Sequence, residues 1–222
     1  PLHKKALSLA AIDFPGHTEM LQALAAAHFG VSVADMPVRM MLSRPGLRVV
    51  LLSIHVSLRQ AIEAVTVDNV LQTLRIAHNS LRNAQGGPPR LALAGLNPHA
   101  GEGGLMGREE IDILEPALEL ARSLGIDASG PYPPDTVFMR ARASHGQPKA
   151  IDAVVAMYHD QGLIPVKYMG LAHGVNVTLG LPFVRTSPDH GTAYDIAGQG
   201  VADPSSLLAA LAMARTLSAR VV

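Results

Sequence analysis

The chain has no cysteine. Disulfides and thiolate metal sites are therefore excluded, and any metal must be held by histidine, carboxylate or water. Aromatic residues are scarce, at 4%, and neither sign of charge dominates: 18 lysines and arginines balance 18 aspartates and glutamates. No basic block stands out, which argues against nucleic-acid binding. No apolar run approaches the roughly 18 residues of a membrane span, and no signal peptide is visible. The expectation is a cytoplasmic protein with no nucleic-acid or membrane partner.

What is present reads as a globular chain. Its 222 residues are 48% hydrophobic and 16% charged, enough for one large domain or two small ones. The opening Pro1-Leu2-His3-Lys4-Lys5 has no initiator methionine and runs straight into a helical pattern over 5–11, so the chain is expected to begin inside a longer protein. Ile12-Asp13-Phe14-Pro15-Gly16 breaks that helix. Residues 18–29 have helical spacing (Met20, Leu21, Leu24, Ala27), with Thr18 as N-cap. Residues 37–42 and 47–54 are β-rich, and Ser43-Arg44-Pro45-Gly46 between them predicts a hairpin. Residues 57–64 form a short helix and 68–82 a longer one, with Val70, Leu71, Leu74, Ala77 and Leu81 on one face. Gly86-Gly87-Pro88-Pro89 ends that unit. A buried strand over 90–96 leads into a glycine-rich loop, then a helix over 109–124 closed by Gly125. Pro131-Tyr132-Pro133-Pro134-Asp135 excludes helix and central strand. Strands over 151–157 and 175–179 and a last helix over 206–217 complete an α/β pattern with a mostly parallel sheet.

One stretch is chemically odd. "IDAVVAMYHDQGLIPVK" (151–167) begins apolar and runs without a spacer into Tyr158-His159-Asp160. In open α/β sheets ligands bind beyond the carboxyl ends of the strands. Three of the ten histidines stand at such ends: His55 after "VVLLSI", His99 after "LALAGLNP" and His159 after "DAVVAMY". A single histidine there is more often a hydrogen-bonded structural residue. Three at equivalent points match a three-imidazole site with open positions. His3, His28, His78, His145 and His173 lack that context and read as surface or cap residues. The loop 101–107 has backbone amides that suit phosphate, but it is neither a P-loop nor a dinucleotide fingerprint, and a tight turn explains it equally well. Lys167, Asn176 and Arg185 follow in what read as two strand-and-loop units. Lone cations in apolar surroundings suggest an anionic substrate rather than solvated surface charge.

At this point whole blocks become diagnostic. "GHTEML" (16–21), "GLNPHAGEGG" (95–104), "MYHDQGLIPVK" (157–167) and "GVNVTLGLPFVRTSPDHGTAYDIAGQG" (174–200) together resemble the PdxA family, the 4-hydroxythreonine-4-phosphate dehydrogenases of pyridoxal phosphate synthesis. "HGTAYDIAGQGVADP" (190–204) also resembles the cofactor-proximal segment of isopropylmalate and isocitrate dehydrogenases. The resemblance implies that three-layer α/β fold without its N-terminal portion. A middle domain over 1–186 would hold the metal site and dimer interface, and 187–222 would return to a cofactor-side domain. It implies oxidation of a secondary alcohol by NAD (or NADP) and loss of carbon dioxide to give 3-amino-2-oxopropyl phosphate. It implies divalent-metal ligands (for Zn, Mg, Co or Mn) at His55, His99 and His159, shared across a homodimer. Substrate-binding positions are His17, Thr18, Lys167, Asn176 and Arg185, cofactor contacts His190, Gly191 and Asp195, and proton acceptors Asp160 or Lys167.

The sequence departs from the family in two places. The glycine-rich N-terminal motif is missing, and "SIHVSLRQAI" around His55 lacks the threonine and proline expected beside that histidine. A paralogue acting on a four-carbon sugar-acid phosphate or an aromatic cis-dihydrodiol is therefore the alternative. Rivals of another class are a three-histidine metal hydrolase and a non-catalytic dimerising fragment. With its cover absent, the apolar face of the last helix (Leu207, Leu208, Leu211, Met213, Leu217) is expected to repack, pair or stay mobile.

Overall fold

The computed structural model describes residues 3–12, 14, 16–82, 87–170 and 173–218. Pro1, Leu2, Asp13, Pro15 and Gly86 of the motifs above lie outside them. Helices α1 (Lys4–Leu9) and α2 (His17–Phe29) precede a hairpin of β1 (Arg39–Arg44) and β2 (Leu47–Leu51). The hairpin closes on Pro45-Gly46: Arg44 pairs with Leu47, and Gly46 takes φ +85°, a conformation that costs glycine little. Helices α3 (Leu58–Glu63) and α4 (Val67–Leu81) follow. Ser57 and Gln60 cap α3 reciprocally, and Thr66 caps α4 by accepting the Asn69 N–H. Then come β3 (Leu91–Ala94), α5 (Glu115–Ser123), β4 (Ala128–Tyr132), α6 (Val137–Ser144), β5 (Ala153–Ala156), α7 (His159–Tyr168), β6 (Val175–Leu179), β7 (Arg185–Pro188) and α8 (Ser205–Ser218).

The strands form one sheet in the order β4-β3-β5-β2-β1-β6-β7. Period-2 alternation sorts each central strand onto two apolar faces. Met41, Val50, Leu93 and Val155 face one core with α4, α5 and α8, while Leu42, Val49, Ala92 and Val154 face the other with α6 and α7. Burial on both faces explains why β3 and β5 are continuously apolar. The result is the expected three-layer α/β architecture.

Several local expectations need correction. The sheet is mixed, not mostly parallel: β2–β5, β5–β3 and β3–β4 are parallel, whereas β1–β2, β1–β6 and β6–β7 are antiparallel. Gly16, not Thr18, is the N-cap of α2, which buries Ala25 and Ala26 rather than Leu24 and Ala27. By contrast, the exclusion of helix and central strand at 131–135 holds: residues 128–132 form β4 on the sheet edge, where Pro131 is tolerated. Lys167 sits on a helix, since α7 starts at His159 and continues through Pro165. The helix after the glycine loop opens with a π turn, Glu110–Leu114. His78 is half-buried, its Nδ1 enclosed without a hydrogen-bond partner. The apolar face of α8 divides: Ala210, Met213 and Leu217 pack on the core, while Leu207, Leu208 and Leu211 are exposed.

Candidate functional site

The carboxyl ends of β2, β3 and β5 are side by side, and each delivers one of the three histidines. Beyond β5 the chain turns at Tyr158 and starts α7 with His159 at its first position. The apolar run is thus a core strand, and its polar end is a strand-to-helix junction. His159 and His55 stand together, with ring centroids 5.9 Å apart. Two imidazoles whose nitrogens each lie about 2 Å from one ion place their ring centres roughly 5–6 Å apart, so this pair fits two ligands of a shared metal. His159 Nδ1 is 2.7 Å from Asp160 Oδ1, which fixes the ring and directs Nε2 outward. A cavity of about 340 Å³ opens over the pair, lined by Ile54, Leu58, Ala61 and Tyr158.

His99 is exposed at the tip of a left-handed turn, with positive φ at every residue from His99 to Gly103. Among the described residues of one chain, no three histidine, aspartate or glutamate side chains converge on a metal-sized point. One chain therefore supplies a pair of imidazoles, and the third belongs to a separate tip.

A second group lies on the α7 face of the sheet, which is apolar as far as β1 and turns polar at β6 and β7. Asn176 and Thr178 alternate on β6, and Thr178 pairs with Arg185 on β7. Arg185 Nη1 donates to Thr178 Oγ1 at 3.2 Å, and Thr18 Oγ1 lies 3.3 Å from the same hydroxyl. His17 is close enough for Arg185 to act on it: burial first, and then the guanidinium charge, hold its pKa below the usual imidazole value. Burial also lowers the pKa of Arg185. Asn176 Oδ1 is buried with no hydrogen-bond partner, while Asn176 Nδ2 reaches Met40 Sδ. Lys167 Nζ is 3.1 Å from Asp189 Oδ2, an ion pair just past β7. His17, Thr18, Asn176 and Arg185 are thus brought to one polar face, with Lys167 held at its margin. A cavity of about 460 Å³ lined by Thr18, Met40 and Ile54 adjoins the histidine pair, because Ile54 borders both.

His190, Gly191 and Asp195 lie on an exposed stretch past β7, where His190 Nδ1 contacts the Gly191 carbonyl at 2.9 Å. The described segment 187–218 packs back on the sheet: Thr186 Oγ1 donates to the Ala210 carbonyl, and Ser206 Oγ to that of Gly174. Sequence reasoning missed Thr178, which joins Thr18 to Arg185, and Gln161, which bonds two strand tips. Both sit inside quoted motifs, but neither type signals a role without its neighbours in space. No described helix is long and apolar enough to cross a membrane.

Comparison with known proteins matches residues 1–214 to the family described as pyridoxal phosphate biosynthetic protein PdxA. The 4-hydroxythreonine-4-phosphate dehydrogenase of Beijerinckia indica is 56% identical over 207 residues, covering 93% of this chain and 58% of that protein. A crystal structure of 4-hydroxythreonine-4-phosphate dehydrogenase from Klebsiella pneumoniae superposes with a TM-score of 0.80 at 43% identity, covering 98% of this chain and 62% of that one. A terephthalate 1,2-cis-dihydrodiol dehydrogenase from Burkholderia xenovorans gives 0.70 at 33% identity, with 94% and 63% covered. The three-layer architecture is that of the isocitrate/isopropylmalate dehydrogenase-like proteins. The chain spans about three fifths of the length of these relatives.

Proposed function

The chain belongs to the PdxA family, and on that premise we propose that it carries the metal and substrate residues of an NAD- (or NADP-) dependent dehydrogenase. The reaction is oxidation and decarboxylation of 4-phosphooxy-L-threonine to 3-amino-2-oxopropyl phosphate, in the cytoplasm. The observation that carries this reading is that Ile54, which borders the His55–His159 pair, lines one cavity with Thr18, whose hydroxyl meets the Thr178 hydroxyl that Arg185 bonds. A pair of imidazoles beside a half-buried guanidinium suits a substrate with a hydroxyl at one end and an anion at the other.

His55, His99 and His159 would hold a divalent ion (Zn, Mg, Co or Mn), with at least one imidazole contributed by a second copy in a homodimer. When bound, the ion lowers the pKa of a coordinated hydroxyl, an effect worth several kcal/mol. A nicotinamide held beside His190, Gly191 and Asp195 would take the hydride; their segment, 187–222, is the proposed cofactor-side part, and its described residues pack on the sheet of 1–186. Arg185 clamps the anion with its fork, and the α2 N-terminus adds the His17 and Thr18 amides. Asn176 has a buried acceptor to offer a substrate donor. Lys167, held by Asp189, donates hydrogen bonds to anionic oxygen. The Asp160 carboxylate, which keeps lone pairs beyond the one used by His159, takes the hydroxyl proton.

The Arg185 guanidinium suits a phosphate and equally the carboxylate of an aromatic-acid dihydrodiol, so the choice between these substrates falls to assay. The test is to incubate this chain with NAD, a divalent ion and each substrate, following NAD reduction and phosphate release. Reduction with 4-phosphooxy-L-threonine supports the proposal. Reduction with the dihydrodiol alone would move the chain to the paralogues. Phosphate release without reduction would mark a hydrolase, and metal-binding dimers without turnover a non-catalytic unit.

A further inference from the structure

The three histidine tips are held together by something other than the sheet. The β3–β5 ladder ends at Leu93 paired with Val155. In a parallel register the next pair on that face would be Gly95 and Met157. Those two residues do not bond to each other; the Gln161 carboxamide stands between them. Met157 N donates to Gln161 Oε1 at 2.7 Å, and Gln161 Nε2 donates to the Gly95 carbonyl at 2.7 Å. The partners fix the orientation of the amide, since a flipped carboxamide would set donor against donor and acceptor against acceptor. The side chain thus acts as a surrogate peptide where the strands diverge.

The network extends both ways. Ser53 Oγ donates to the Met157 carbonyl at 2.9 Å, tying the β2 end, two residues before His55, to the β5 end, two before His159. On the other side Gly95 leads to Leu96 and Asn97, whose amides both donate to Glu110 Oε1, at 2.7 and 2.8 Å. Asn97 Nδ2 donates to Glu110 Oε2 at 2.9 Å. Glu110 is only 2% exposed. It anchors a turn in which His99, Ala100 and Glu102 are left-handed without being glycine, at a cost of roughly 1–2 kcal/mol per residue. A strained loop keeps its shape only where its surroundings over-determine it.

We infer that Gln161 is a positioning residue, tying the His159 tip to the His99 loop and so setting the spacing of the metal ligands before a second copy completes the site. This rests on the metal reading above. A ligand set divided between two molecules has no covalent frame of its own, so each half must be rigid beforehand. Ser53 and Glu110 are the outer anchors of the same brace.

The test uses cobalt(II) alone, read by titration and by its ligand-field absorption. Gln161→Met removes both bonds. Gln161→Glu keeps the acceptor for Met157 N and sets a carboxylate against the Gly95 carbonyl. Both should lose about tenfold or more in cobalt affinity and alter the absorption spectrum. Leu74→Ala, which weakens the core on the opposite face of the sheet, should change neither. If Gln161→Met fails to fold, Gln161→Glu still decides. Parental affinity and spectrum in the Gln161 variants would overturn the positioning role while leaving the metal site intact. Unchanged cobalt binding in both His55→Ala and His99→Ala would sink the metal reading itself, and the positioning role with it.

Discussion

Replacing Gly162 by alanine sets two physical effects against each other. Gly162 is buried in α7, three residues after His159. Helix propensity alone predicts a gain of about 1 kcal/mol for Gly162→Ala. The packing predicts a loss. A Cβ built there overlaps Leu51 Cδ2, stands 2.8 Å from Val49 Cγ1 and 3.1 Å from Ala156 Cβ. Ordinary carbon contacts need about 3.5–4.0 Å, so α7 must rise from the sheet by roughly 1 Å or the β2 side chains must leave their rotamers. Overpacking of this kind costs about 1–3 kcal/mol, which outweighs the propensity gain. The expected net is a loss of about 1 kcal/mol, or about 2–4 °C in thermal midpoint for a chain of this size. The functional effect should be larger in proportion. His159 and Gln161 ride on the first turn of α7, and metal–ligand distances tolerate only about 0.2 Å. Thermal melts and cobalt titration on one preparation measure both effects. A raised midpoint with unchanged cobalt affinity would refute this account of how α7 is seated.

Three further outcomes follow from the geometry. Leu74→Ala removes a fully buried side chain from the core under α4 and should cost about 2–5 kcal/mol in denaturant unfolding; less than 1 kcal/mol would mean that this core is loosely packed. Arg185→Lys keeps the charge but loses the fork that reaches Thr178 and a bound anion. Phosphate affinity by calorimetry should fall about tenfold or more, and an equal affinity would remove Arg185 from the anion site. His17 has a folded pKa below its unfolded value of about 6.5, so the unfolded chain holds that proton more tightly. Its contribution to stability is complete above that value and is lost as pH falls through the window down to the folded pKa. Phosphate beside the ring should raise the folded pKa, which ring-proton NMR can follow; a titration indifferent to phosphate would place the anion elsewhere.

Much of this protein was legible in its residue pattern because the relevant forces act over a few neighbours. Runs such as "AVVAM" are apolar at every position, and only a strand covered on both faces, or a buried helix, accepts that. The periodicity of 68–82 names the buried face of α4, and Pro45-Gly46 closes a hairpin by backbone preference alone. The histidines that end three such runs follow from the same logic, since the carboxyl edge is where an α/β sheet exposes its tips. The tertiary structure decided whatever depends on which element lies beside which. Period-2 patterns carry no direction, so the antiparallel pairing of β1 and β6 was not to be had from them. Helix α7 starting at His159 and tolerating Pro165 is a matter of packing against β1, β2 and β5, which overrides local propensity. The adjacency of His55 and His159, the separation of His99, and the bridging amide of Gln161 are distances between residues far apart in sequence. A glutamine has the same composition wherever it stands, and only the two strands diverging around Gln161 give its amide a ladder to complete.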